Sequence, residues 1–497
     1  MAQAGDTADL VLRDARLIDG TGGPSRRGDL AIKDDRILAL GDLSGTRGAR
    51  EIDLAGKAVA PGFIDVHTHD DRALLADPLM TCKVSQGVTT VVTGNCGVSL
   101  APLKISKRPP APMDLICEDP DGFFADFGDY LGALDRDPPA TNALAQVGHA
   151  SLRVGAMDRL DRAASGTEIE TMRGRLESAL EAGAIGLSTG LFYPPASAAP
   201  TEEVIELAKA LETYHGLHST HMRDESDHIA DSLEETFRIG REARVPVVIS
   251  HHKCAGMSNH GRSEETLGLI EAARGRQPVG LDVYPYVASS TTLDSVRGMQ
   301  AARVLVAWSK PHPEMAGRDL KDVAAEMGLG IEAAVAALLP AGGIFFSMDE
   351  ADVRRILSYR HSMIGSDGLP HDVHPHPRLW GTFPRVLGHY AREAGLFSLE
   401  EAVRKMTSLS AQRFGLKDRG VLRAGAYADL AVFDPDTVLD AATFDDPKQP
   451  AKGIEMVLVN GRVVWQDGQH SGARPGRALR RQDLDAPRFN GAGGCGH

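Results

Sequence analysis

The stretch from Pro61 to Cys96, PGFIDVHTHDDRALLADPLMTCKVSQGVTTVVTGNC, narrows the folds open to this chain more than any other. A short apolar run, Gly62 to Val66, leads directly into His67, Thr68 and His69. Side chains alternate faces along a strand, so residues two apart point the same way and the two imidazoles converge on one point. That arrangement suits a metal ion. Further on, a β-branched run from Gly87 to Thr93 reads as a second buried strand. It ends at Gly94, Asn95 and Cys96, which places a thiol at a strand's C-terminal end.

The centre of the chain, residues 62–413, repeats this rhythm. Helical patterns occur in TEIETMRGRLESALEAG, where Thr167 and Glu170 are spaced for a capping box and Gly183 for a stop, and in TEEVIELAKALETYHG and SLEETFRIGREAR. Between and after them lie strand candidates at Ala184 to Ser188, Gly216 to His221, Val245 to His251, Val279 to Val283 and Ser362 to Asp367. Repeated βα units over this length predict a parallel sheet closed into a TIM-like (β/α)8 barrel. The two ends differ: residues 1–61 and 414–480 alternate apolar and polar positions in short runs broken by Gly, Asp and Pro, which predicts one small β-sandwich domain built from both termini. Residues 287–346 interrupt the rhythm with a mixed, mostly helical insertion at the barrel's rim, read as a lid. Residues 481–497 read as a flexible tail.

With 497 residues and a net charge of −14, the chain is too long for one small core and ill-suited to binding nucleic acid without regard to sequence. A local pair of cations still accommodates an anionic substrate. Five scattered cysteines read as reduced thiols, which points to a cytoplasmic enzyme rather than a disulfide framework. The first residues lack the basic start and apolar core of a signal peptide, and no apolar run approaches the roughly 18 residues that span a bilayer, so no membrane association is expected.

Further polar residues end predicted strands. His221 closes HSTH, with His218 three positions earlier on another face; His251 and His252 close VPVVISHH and Lys253 follows; Asp367 closes HSMIGSD. In a βα barrel all C-terminal strand ends face one mouth, so His67, His69, Cys96, His221, His251 and Asp367 become neighbours. Imidazole and thiolate suit zinc, which lowers the pKa of a bound water and polarises a carbonyl. Asp367 is then the natural base, taking the water's proton and delivering it to a leaving amine.

These residues, with GFIDVHTHDD, VTTVVTGNCGVSLAPL, GLSTGLFYPP, HMRDES, ISHHK, YPYVASST and GSDG, resemble the D-aminoacylase (N-acyl-D-amino-acid deacylase) family of the amidohydrolase superfamily over nearly the whole chain. The resemblance implies a barrel of the metal-dependent hydrolase type that hydrolyses N-acyl-D-amino acids. Many amidohydrolases bridge two metals with a carboxylated lysine; Cys96 stands where this family places a cysteine instead. By that likeness Cys96, His221 and His251 bind one tightly held zinc, His67 and His69 line a second, weaker position, and Asp367 is the catalytic acid/base. The substrate's α-carboxylate falls to Lys253, Tyr284, Ser289 and Arg378, with Tyr193 next, because arginine binds carboxylates bidentately and lysine supplies a point charge. Phe192 and the lid surround the side-chain pocket. Phe345, Phe346 and Met348 there suit apolar side chains, whereas Arg297 would favour an acylated D-glutamate or D-aspartate. Two other readings compete: a cyclic amidohydrolase of the hydantoinase or dihydroorotase kind, in which a lysine is expected at the Cys96 position, and a non-enzymatic scaffold, which would have lost ligands.

Overall fold

The structure, a computed structural model, describes residues 7–297 and 300–489, the side chains of Val296 and Arg297 excepted. Phe63–Asp65, Val88–Thr93 and Asn142–Ala145 pair in one parallel ladder, and Val147–Gly148, Gly186–Gly190, Leu217–His221, Val247–Ile249, Val279–Val283 and Ser362–Ile364 in a second. Asn142–Ala145 and Val147–Gly148 are one strand broken at Gln146, so eight parallel strands succeed one another in chain order. The eighth returns to the first through a parallel bridge between Thr68 and Gly368 and through the Asp367 N–H donating to the His67 carbonyl at 2.8 Å. Helices between the strands bury one stripe each. In Ile229–Ala243 the buried positions Ile229, Leu233, Phe237 and Gly240 recur at helical spacing. No helix among the described residues is long and apolar enough to cross a membrane.

Gly166–Ala182 forms the predicted helix, but its capping box uses Ser165 and Glu168, two residues upstream of the expected Thr167 and Glu170. Both pairs satisfy the spacing rule. The upstream one prevails because Arg162 pairs with Glu168 at 2.7 Å and fixes that carboxylate at the helix start.

The two chain ends form a single nine-stranded sheet. Its seam is Ala58–Pro61 against Leu430–Phe433, antiparallel, with Val59 opposite Val432 and Pro61 opposite Leu430. Barrel strand one begins directly after this seam, and Phe63 stacks on Phe383 and tilts against Phe433, so sheet and barrel share one core.

Two expectations need correction. The insertion contains an antiparallel sheet, Ala288–Thr292, Arg303–Ser309 and Ala341–Phe346, as well as the helices Leu320–Glu326 and Ile331–Leu338. Two of its strands were hidden because ASSTT and the start of AGGIFF carry small residues in place of alternating apolar ones. The tail is not loose throughout: Phe489 is buried against the barrel floor beside Gly280, with the Arg413 guanidinium 4.9 Å from its ring centroid. Residues 490–497, including Cys495 and His497, lie outside the described residues.

Candidate metal centre

Three of the predicted chemical residues sit where the backbone leaves a strand through left-handed conformations: Cys96 at φ 52°, His251 at φ 37° and Asp367 at φ 51°. Such conformations cost non-glycine residues roughly 1–3 kcal/mol each and persist only where surroundings over-determine them. They explain why the strands end early, at Ile249 and Ile364 instead of His251 and Asp367: the turn takes these residues out of the ladder and aims them at the mouth. Gly190 permits the approach beside Cys96, because a Cβ there would collide with the Cys96 carbonyl.

The side chains then meet. Cys96 Sγ lies 3.3 Å from His67 Nε2 and 3.3 Å from His251 Nε2. His69 Nε2 is 3.1 Å from Asp367 Oδ1, and His67 Nε2 is 3.5 Å from the same oxygen. Two buried ligand groups result, His67–His69–Cys96–Asp367 and Cys96–His221–His251, each with its donor atoms within 4.8 Å of one another. Cys96 belongs to both. Burial alone would push its thiol up, but the imidazoles of His67 and His251, with hydrogen bonding from His221, bring it well below its usual value. That shift favours the thiolate, the form that binds metal.

Residues that sequence reasoning passed over hold these ligands in place. Asp282 Oδ1 accepts from the His251 N–H at 2.9 Å, and its Oδ2 is 3.5 Å from His67 Nδ1. Glu225 Oε1 is 3.1 Å from His251 Nδ1, and both Glu225 oxygens accept from Lys253 Nζ at 2.7 Å. Burial would raise the Glu225 carboxyl, but Lys253, His221 and His251 hold it below the ordinary carboxylate range. Under strand one, Asp65 Oδ1 accepts from the Ser366 N–H at 2.8 Å, while Lys83 Nζ donates to Asp65 and to Ser366 Oγ, each at 2.8 Å, which clamps strand eight to strand one below His67 and Asp367. A signal existed for two of them: Asp282 is a carboxylate inside the apolar strand VGLDV, and Glu225 follows His221 by four residues in HMRDES. His218 and His252 stay structural, bonded to Thr189 and Thr266 hydroxyls at 2.9 Å each.

The ligands open into a cleft lined also by Tyr193, Lys253, Tyr284 and Ser289. Among the described residues the Tyr284 hydroxyl has no hydrogen-bond partner, and Tyr193 bonds Thr291 across the lid base at 3.0 Å. Arg378 lies beneath rather than on this lining: fully buried, it pairs with Asp367 Oδ2 at 2.8 Å and lies 4.6 Å from the Tyr284 ring centroid. Burial would raise Asp367, but Arg378, then His251, hold it well below the usual carboxylate value. Phe192 lines an adjoining lobe with His221, Glu225, Asn259 and Gln300. Phe345 is absorbed in the lid's own core, Phe346 packs on Phe444, and Met348 packs with Tyr284 and Tyr286, so none of the three faces the cleft. The Arg297 side chain lies outside the described residues.

One thiolate, buried imidazoles and a carboxylate make a donor set suited to zinc, and His69 and His221 each keep a buried Nδ1 without a partner among the described residues. The amidohydrolase family model matches residues 50–273 and 277–465. A D-aminoacylase of Alcaligenes xylosoxydans xylosoxydans is 58% identical over 95% of this chain and 98% of its own length. An N-acyl-D-aspartate deacylase of the same organism is 54% identical over 96% of each. An N-acyl-D-glutamate deacylase from Bordetella bronchiseptica, solved with zinc and a phosphonate mimic of the reaction's tetrahedral intermediate, has a TM-score of 0.92 and 47% identity, covering 96% of this chain and 100% of that one. A D-hydantoinase, at a TM-score of 0.61 and 16% identity, shares the fold alone.

Proposed function

The chain belongs to the amidohydrolase family, and from that premise we propose that it is a zinc-dependent N-acyl-D-amino-acid deacylase, hydrolysing the amide bond to a carboxylate and a free D-amino acid. The observation that carries the reading is Cys96 at the common vertex of two buried ligand groups, opening on a cleft with a lysine and an unpartnered tyrosine hydroxyl. Cys96, His221 and His251 would hold the tighter ion, and His67 and His69, beside Asp367, a weaker second position. Zinc bound there supplies acidification of a water molecule and polarisation of the amide carbonyl.

The protein's own groups do the rest. Asp367, kept anionic by Arg378, accepts the proton of the attacking water and passes it to the amide nitrogen as the carbon–nitrogen bond breaks. Lys253, Tyr284 and Ser289 receive the α-carboxylate, with Arg378 behind Tyr284 adding positive potential from below. Tyr193 braces the lid base over the reacting bond through Thr291. Phe192 borders the side-chain lobe, and Arg297 is assigned to acidic side chains; Arg297→Leu should lower the ratio of acetyl-D-glutamate to acetyl-D-leucine turnover, and an unchanged ratio removes that assignment.

The same reading treats residues 1–61 and 414–480 as one β domain, 62–413 as the catalytic barrel and 287–346 as its lid, supported by the sheet seam and the insertion's separate core. A reducing, cytoplasmic setting is supported by Cys82, Cys96, Cys117 and Cys254, which are free and buried. A scaffold role is disfavoured by a competent residue at every ligand position, and cyclic amides by the cysteine where a lysine is expected. The deciding experiment is turnover of acylated D- and L-amino acids before and after chelation and zinc return. Activity confined to the D series, lost with metal and restored by zinc, is expected; zinc-independent turnover or a preference for cyclic amides overturns the proposal.

A further inference from the structure

Beneath the cleft, and outside its lining, Lys83 buries an ammonium completely. It stands on the helical turn Thr81–Val84, which precedes strand two. A charge taken wholly out of water is costly unless it is paired and hydrogen-bonded. Lys83 is both: Nζ donates to Asp65 Oδ2 and to Ser366 Oγ, each at 2.8 Å, and Asp70 Oδ2 is 3.3 Å away. Burial would lower its pKa, but Asp65 and then Asp70 raise it above the ordinary lysine value, so the ammonium keeps its charge at neutral pH.

Its partners lead to the proton carrier. Three consecutive backbone N–H groups follow strand eight, and each has an acceptor. Ser366 donates to Asp65 Oδ1 at 2.8 Å, Asp367 to the His67 carbonyl at 2.8 Å, and Gly368 to Ser366 Oγ at 3.3 Å. Lys83 grips the two side chains, Asp65 and Ser366, that supply the first and third of these acceptors. Between them Asp367 sits at φ 51°, a conformation that a residue with a side chain keeps only where its surroundings over-determine it. Gln86, three residues after Lys83, donates to the Leu379 carbonyl at 2.8 Å and accepts from the Phe383 N–H at 3.3 Å. The same segment thus fixes the helix Arg378–Arg385, whose Arg378 pairs with Asp367. Both attachments lead to Asp367, and neither to the Cys96–His221–His251 group, which comes from strands two, five and six. We propose that Lys83 is a positioning residue for the hydrolysis: its ammonium holds the turn after strand eight so that Asp367 meets His67 and His69, and thereby sets the rate of proton transfer without setting the tight zinc site. The inference rests on the deacylase reading and deepens it.

The test uses the zinc enzyme and N-acetyl-D-methionine. Lys83→Met keeps the length of the side chain and removes its charge. Because a misplacement of about 1 Å at a reacting group costs up to about a hundredfold in rate, kcat at room temperature should fall by about 10–100-fold. KM, set by Lys253, Tyr284 and Ser289, should stay within about twofold, and zinc retained against a chelator should stay near wild type. Ser366→Ala keeps the Lys83–Asp65 pair and removes the link to strand eight; it should act in the same direction, and it carries the test if Lys83→Met does not fold. The double variant should lose no more kcat than Lys83→Met alone, because both changes cut one connection. A second measurement needs no turnover: amide exchange at Ser366, Asp367 and Gly368, followed with zinc present and removed, should quicken by about tenfold or more in the variants while exchange across Leu217–His221 stays unchanged. A lowered Tm with wild-type kcat in the folded protein would make Lys83 a lysine of the fold alone and overturns the proposal. Unchanged exchange at Asp367, or loss of the tight zinc together with kcat, overturns it as well. Quickened exchange in a protein whose wild type cleaves no N-acyl-D-amino acid would uphold the clamp and sink the deacylase reading instead.

Discussion

Cys96 and Asp367 are both buried polar residues at strand ends with left-handed backbones, yet their substitution should separate two functions. Cys96→Ser takes the thiolate from both ligand groups at once, so zinc per chain should fall and kcat/KM should drop by more than about a hundredfold. Asp367→Asn keeps the shape and removes the proton acceptor: kcat should fall about 10²–10⁴-fold while zinc content stays near wild type. Metal analysis beside kinetics distinguishes them, and zinc loss in Asp367→Asn would make Asp367 chiefly a ligand. Glu225 acts one shell out. Its carboxylate faces His251 Nδ1 while His251 Nε2 faces Cys96, so Glu225→Gln should weaken zinc affinity by about 10–100-fold in a chelator competition. Unchanged affinity would leave Glu225 only a partner for Lys253. The ligands were legible in the sequence because each ends a recognisable apolar run. Asp65 and Lys83 were not, since a buried carboxylate or lysine without a sequence signal shows its purpose only through a partner distant in the chain, such as Ser366.

At the level of elements, periodicity placed strands and helices well and their ends less well, for identifiable reasons. The strands at Val247–Ile249 and Ser362–Ile364 stop before the residues that carry chemistry, because the turn that aims those side chains breaks the ladder. The helix at Gly166–Ala182 had two equivalent caps in sequence, decided by Arg162. The helix Leu399–Met406 hides a liability of its own. Lys405 is buried, donates to the Tyr359 carbonyl and among the described residues has only Glu401, at 3.8 Å, as a counter-charge, and burial pulls its pKa from 10.5 down to about 7. The folded pKa lies below the unfolded one, so between about pH 7 and 10.5 the unfolded chain binds more protons and stability rises with pH; below about pH 7 the full cost is present. Lys405→Met should therefore raise Tm at about pH 6.5, and the gain should shrink as the pH approaches about 10. Equal shifts at both pH values would mean the lysine is hydrated or better paired than its surroundings indicate.

For the whole molecule, the barrel was readable because βα repetition is a local signal renewed many times along the chain. The nine-stranded sheet was readable because both termini carry the same alternation. What the sequence concealed was long-range closure: which strand of one end meets which of the other, and where the last residues go. Ala58–Pro61 against Leu430–Phe433 joins residues far apart in the chain, and Phe489 then returns beneath the barrel to meet Gly280 and Arg413. The segment LDAPRF gives no hint of this, since one aromatic among polar and small residues is also what a loose tail looks like. Phe489 is nonetheless buried with Val248, Met363, Leu409 and Phe414 in the barrel's interior cluster, itself beside Gly280 at the N-terminal end of strand seven, away from the metal ligands. Position and burial make opposite predictions for the two things that can be measured. Phe489→Ala should cost about 3 kcal/mol of stability and lower Tm, because the barrel floor cannot collapse into the space a ring leaves. Zinc content and kcat/KM at room temperature should stay near wild type, because C-terminal strand ends build the site while the floor only holds the strands together. An unaltered Tm would show that the aromatic ring does not support the floor, and lost zinc with an unaltered Tm would show the two ends of the barrel to be coupled through the interior cluster that joins Phe489 to Val66.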